Sequence, residues 1–83
     1  MNTFTVYRTK ARDVVEDWEK SNYNNADEPQ FEGIEFHDGT CAIRWFTEIR
    51  SVSFWDSVDD MKKVHIHAHP DYGTRIEWSD GKV

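Results

Sequence analysis

Two alternating runs separated by Asp38-Gly39 form the clearest pattern in the chain. From Gly33 to Phe36 and from Cys41 to Trp45, apolar and polar positions exchange at a period of two, as in half-buried strands. An Asp-Gly pair between such runs predicts a hairpin with a two-residue type I′ loop. That loop sets Phe36 opposite Cys41, Ile34 opposite Ile43 and Glu32 opposite Trp45. One face then reads Ile34, Phe36, Cys41, Ile43 and Trp45. The other reads Glu35, His37, Thr40, Ala42 and Arg44, with Glu35 and Arg44 diagonal to each other. Thr47 to Arg50 reads as a connection. Ser51 to Trp55 follows as a third strand, with Val52 and Phe54 on one side and Ser51, Ser53 and Trp55 on the other. The pattern predicts a β-meander over 31–55.

The flanks add further elements. Thr3 to Thr9 alternates Phe4 and Val6 with Thr5 and Tyr7, which predicts a strand. Ala11, Val14, Val15 and Trp18 then fall at helical spacing, which predicts a helix over 11–20 with Trp18 as its anchor on the sheet. Residues 21–30, SNYNNADEPQ, read as a mobile loop whose one aromatic, Tyr23, is a candidate contact residue. Ser57 suits the cap of a short helix over 57–65. Asp59 and Asp60 stand at that helix's positive end, Lys62 and Lys63 at its negative end, and Val58, Met61 and Val64 share one face. Pro70 to Gly73 is a turn, Thr74 to Trp78 a last strand, and Ser79 to Val83 a polar tail. Together these predict one α+β domain over 1–83, with an antiparallel sheet of about four or five strands. An SH3-like small barrel, partly open, is the alternative.

Composition narrows the function. A chain of 83 residues supports one modest core. Its 16 acidic and 10 basic residues give a net charge of −6, which argues against a general nucleic-acid binder. The feature favouring nucleic acid is Arg44, Arg50 and Arg75 beside an exposed aromatic such as Trp55, as a stacking platform. The acidic residues at 13–19 and 59–60 open the reverse possibility, mimicry of DNA. Aromatics reach 14%, with four tryptophans, so either the core is dense or a contact patch exists. Cys41 is the sole cysteine and falls on the inward face, which fits a buried apolar role in a reducing cytoplasm. No apolar run approaches the ~20 residues of a membrane span.

Candidate chemistry is sparse. His65, His67 and His69 alternate with Ile66 and Ala68, and in an extended segment their imidazoles would share one side, open to zinc, copper or nickel. If the preceding helix runs on through His65, the three splay apart. His37 and Cys41 lie on opposite faces of the predicted hairpin, so no nucleophilic dyad forms. The four glycines are isolated and make no phosphate loop. A non-enzymatic binding protein without cofactor follows. Arg44, Trp55, His37 and Tyr23 are its candidate partner-binding residues.

The latter half also resembles a family of small, uncharacterised bacteriophage and prophage proteins. The likeness rests on Gly33–Phe36, Asp38–Thr40, Arg44-Trp45, Arg50-Ser51, Trp55–Ser57, His65 with His67, and Thr74 to Trp78. It covers residues 33–80 and leaves 1–30 unmatched. Glycines accompany the histidines in that family where Ile66 and Ala68 stand here. The resemblance carries no activity and no catalytic residue. It implies a phage context, in which small proteins often act by binding a host protein; the expected partner is a host or phage protein, and the chain is expected to be an inhibitor of a host defence or other host process.

Overall fold

Asn2–Arg8 (β1) is the strand on which the sheet is built. In the computed structural model, which describes residues 1–79, β1 pairs on one side with Phe31–Glu35 (β2) and on the other with Thr74–Trp78 (β5). Cys41–Trp45 (β3) and Val52–Trp55 (β4) complete a five-stranded antiparallel sheet in the order β4-β3-β2-β1-β5. The meander over 31–55 is present as predicted. The sheet does not close, so the architecture is an open α+β sheet rather than an SH3-like barrel, and β4 and β5 are its edges. The tail residues 80–83 lie outside the described residues.

The hairpin register differs by one residue from the prediction. Phe36 N–H donates to the Thr40 carbonyl at 2.8 Å, and Gly39 N–H donates to the Phe36 carbonyl at 3.0 Å. Gly39 alone in the loop has positive φ, at 88°. A type I′ loop needs positive φ at two successive positions, whereas a three-residue loop ending in a left-handed glycine needs it at one. Asp38 braces the three-residue loop. Its Oδ1 accepts from Thr40 N at 3.0 Å and from Thr40 Oγ1 at 2.6 Å, which holds its carboxyl below the usual range. Phe31 therefore stands opposite Trp45, Gly33 opposite Ile43 and Glu35 opposite Cys41. Gly33, not Ile34, faces inward, and Ile34 joins Glu32 on the other face. The diagonal Glu35–Arg44 pair is replaced by Glu32 directly opposite Arg44.

The inner face holds the core: Phe4, Val6, Phe31, Cys41, Ile43 and Trp78 from the strands, with Val58 and Met61 above them. The last two come from Val58–Lys62 (α2), the start of a crossover from edge strand β4 to edge strand β5. Ser57 caps α2, its Oγ accepting from Asp60 N at 3.0 Å. The helix then widens into a π-helical turn at Lys63–His67. A 3-10 turn at Pro70–Tyr72 ends on Gly73, left-handed at φ 61°, and the chain enters β5.

The predicted helix over 11–20 is broken. Ala11–Val14 (α1) makes one turn, Val15 and Glu16 are extended, and Asp17–Asn22 forms a 3-10 turn. Two successive β-branched valines weaken the helix at this point. Arg12 competes with it, donating to the carbonyls of Lys20 at 2.8 Å and Tyr23 at 3.0 Å and so folding the segment back on itself. Trp18 is consequently no anchor: it is 76% exposed.

Candidate functional site

Two regions gather the residues to which the sequence points. The first lies under the π-helical turn. Trp55 pairs with Cys41 and so belongs to the inner face, with its ring edge-on to His65 at 5.3 Å. Trp45 approaches the same imidazole at 5.0 Å, and Phe31 at 6.1 Å. Trp55 is therefore not beside Arg44 on an outward stacking platform. It packs against the core. The one-residue alternation that puts Trp55 inside puts Val52 and Phe54 outside.

Arg8 completes this region, and sequence reasoning passed over it. The signal was present: Arg8 continues the inward series Phe4, Val6 of β1. It is 6% exposed, and its Nη2 donates to the His65 carbonyl at 2.6 Å. Its guanidinium carbon lies 5.1 Å from the Tyr72 ring centroid and 5.4 Å from that of Trp45, with Tyr23 and Phe31 at 5.9 and 6.0 Å. Burial pushes the guanidinium pKa down. Arginine stays charged at such a site.

Tyr23 is tied to this cluster and not held out on a loop. Its hydroxyl is 2.9 Å from that of Tyr72, and the two rings meet edge-on at 5.3 Å. That hydrogen bond, with burial, pushes the Tyr72 phenol up to about 12. The stretch 21–30, expected to be mobile, is stitched down. Asn24 Nδ2 donates to the carbonyls of Pro29 at 2.8 Å and Phe46 at 3.1 Å, and Gln30 Oε1 accepts from Asn24 N at 3.1 Å.

The histidines do not converge. The segment is helical, as in the splayed alternative, and not extended. His65 lies among the tryptophans, His67 is exposed, and His69 stacks on Tyr72 at 4.6 Å and 4°. Among the described residues no group of three or more His, Cys, Asp or Glu side chains is placed to hold a metal ion. Burial lowers the His65 pKa, and the charges of Arg8 and His69 add to it. A histidine lowered in the folded state is protonated first in the unfolded chain. Stability is therefore lost as pH falls through 6.5 toward the lower folded value, and is level below it. Melting temperature is expected to drop between pH 7 and pH 5, and His65→Gln to flatten that drop. An unchanged slope in His65→Gln would remove His65 as its source. Cys41, buried and near Glu35, has its thiol pushed up to about 11 and is no nucleophile at neutral pH.

The second region is the outer sheet face. It carries Ile34 of β2, Ala42 and Arg44 of β3, and Val52 and Phe54 of β4. Val52 is 56% exposed and Phe54 76%. A shallow groove of about 390 Å³ runs along it, walled by Thr3, Glu32, Ile34, Ala42, Arg44 and Val52. The sheet's other end is closed off by polar contacts: Arg75 lies over Tyr7 at 4.5 Å and 3.7 Å from Glu77. Of the candidate partner-binding residues, Arg44 stands on this face, whereas His37 is exposed at the hairpin tip. Phe54, Val52 and Ile34 were missed because the hairpin register and the face of β4 were both inverted.

Comparison with known families places this surface in context. The family described as Acb5 phage protein matches residues 31–80. The chain belongs to the Acb5 phage protein family. The matched segment supplies β2 to β5 and the crossover, whereas β1, which stands between β2 and β5, precedes it. The outer groove and the π-helical turn both fall largely within the matched segment. No curated protein and no solved structure matches the chain. No described helix is long and apolar enough to cross a membrane.

Proposed function

We propose that this Acb5 family member is a non-enzymatic phage protein that binds a host protein through the outer sheet face and thereby antagonises a host defence. The observation that carries this reading is the apolar strip of exposed Val52 and Phe54 with half-buried Ile34 and Ala42, flanked by the Glu32–Arg44 pair. Large apolar side chains left open on a small protein's sheet mark contact surfaces. Arg44, between Glu32 and Val52 at the margin of the strip, supplies the kind of anchor that dominates protein interfaces. The family designation is of the anti-CBASS type, which directs the search to that defence in the host cytoplasm. Tyr23 and Trp55 act in this reading as supports of the fold, and His37 lies at the margin.

The test is expression of the chain in cells protected from phage by a CBASS-type system. Wild type is expected to lift protection and to co-purify with a component of that system. Ala42→Arg, which fills the groove without touching the core, is expected to weaken co-purification by about tenfold or more. Protection unaffected by the wild type, or an Ala42→Arg variant as active as wild type, would overturn the reading.

A further inference from the structure

The two edges of the sheet are finished differently. β5 carries Arg75 and Glu77 on its outer face. β4, with its flanking Ser51, reads SVSFW and has no charge, no proline and no bulge. Charges and prolines are the usual guards of an edge, and an unguarded one is a template for another strand. The ladder fixes which groups β4 offers. Trp45 N–H donates to the Ser51 carbonyl at 3.0 Å, so Ser51, Ser53 and Trp55 are the residues bonded to β3. Val52 and Phe54 turn their backbone N–H and C=O groups away from the sheet, and their side chains are exposed.

Val52 and Phe54 stand on the outer face of this edge, and Arg50 and Asp56, at the same sequence parity, flank the strand on either side. That order is cation, apolar, apolar, anion, and all four are exposed. It is complementary to itself when reversed. We propose that β4 pairs antiparallel with β4 of a second copy of this chain, about a twofold axis at Ser53. Ser53 then faces its own counterpart as a non-hydrogen-bonded pair. Val52 faces the copy's Phe54 as a hydrogen-bonded pair, which uses the N–H and C=O groups that β3 leaves over. Arg50 faces the copy's Asp56, and the twofold repeats each contact. A branched side chain opposite an aromatic one and opposite charges across strands are favourable cross-strand pairs. No one-step slip preserves them, because a slip by one sets outward side chains against inward ones. The twofold stands perpendicular to the sheet, so the outer faces of both copies lie on one side and form a continuous surface. An edge-to-edge contact of this kind is small, and it forms a concentration-dependent dimer and not a permanent one. The pairing does not depend on the host partner proposed above.

Sedimentation equilibrium of the full chain over a wide concentration range tests it. The mass is expected to rise from the 9.9 kDa monomer toward twice that value, more readily at low salt. Phe54→Pro deletes an outward N–H and leaves the β3 ladder intact, and is expected to stay monomeric. Arg50→Glu and Asp56→Arg alone are each expected to raise the dimer dissociation constant about three- to tenfold, and the two combined to return it close to wild type. The exposed charge variants do not depend on Phe54→Pro folding. A wild type that remains monomeric, or a combined charge exchange no better than its single members, would overturn the pairing.

Discussion

Gly33→Ala is expected to lower the melting temperature by about 10 °C, an unusual cost for a single methyl group. Gly33 lies opposite Phe4 in the β1–β2 pair, and the distal end of the Phe4 ring lies over it. A Cβ at residue 33 would overlap the Cζ, Cε1 and Cε2 atoms of that ring. The ring has little room to retreat. Phe4 is 2% exposed, and its far side meets Trp78 at 4.9 Å between centroids. Overpacking of this kind costs about 1–3 kcal/mol, and alanine's better fit to a strand returns less than ~1 kcal/mol. A net loss near 2 kcal/mol corresponds to about 10 °C in a chain of this size. The decisive measurement is the cycle with Phe4→Leu. Removing the distal ring atoms is expected to make alanine at 33 nearly harmless, with a coupling of about 1 kcal/mol or more. If Gly33→Ala melts with the wild type, the ring does not require that glycine.

The same glycine shows where the sequence was legible and where it was not. The strands over 31–55, the last strand at 74–78 and the capped helix after Ser57 rest on local periodicity and local chemistry, and these are in the residues. The register of the hairpin is not local. Asp38-Gly39 is compatible with a two-residue or a three-residue loop, and the choice depends on Phe4, some thirty positions away, which needs a residue without a side chain beneath it. Phe31 carried the correcting signal, because only the slipped register buries it. The face of β4 was misjudged for a related reason. SVSFW has a large apolar residue at both parities, so alternation alone does not say whether Phe54 or Trp55 is inside. His65 decides it by standing over the inner face, where Trp55 meets it edge-on. The helix over 11–20 failed at a competition that periodicity cannot see: Arg12 bonds carbonyls that lie beyond the first turn. The candidate interface followed these errors. Arg44 was placed correctly because β3 was, and its apolar neighbours were lost with the registers of β2 and β4.

The second large effect is expected at Arg8, where Arg8→Ala should cost about 3–4 kcal/mol and Arg8→Met clearly less. Alanine leaves the His65 carbonyl without its charged donor, and a bond to a charged group contributes about 1.5–3 kcal/mol. It also opens a cavity among Tyr72, Trp45, Tyr23 and Phe31, whose faces attract the desolvated cation by as much as ~2 kcal/mol. Against these stands the cost of burying the guanidinium, seen in its lowered pKa, which removal of the charge gives back. Methionine fills most of the volume and needs no solvation, so it forfeits mainly the carbonyl bond. Lysine keeps the charge but has no planar group to lie among four rings, so it is expected to fall nearer alanine than its charge suggests. Urea unfolding at pH 7, compared at a common slope, ranks the three variants. Near-wild-type stability of Arg8→Ala would mean that the rings alone hold the π-helical turn on the sheet. The pH dependence gives a second handle. Arg8 is one of the charges that lower the His65 pKa, so in Arg8→Met the acid-side loss of stability between pH 7 and pH 5 is expected to shrink along with the charge that helps to cause it.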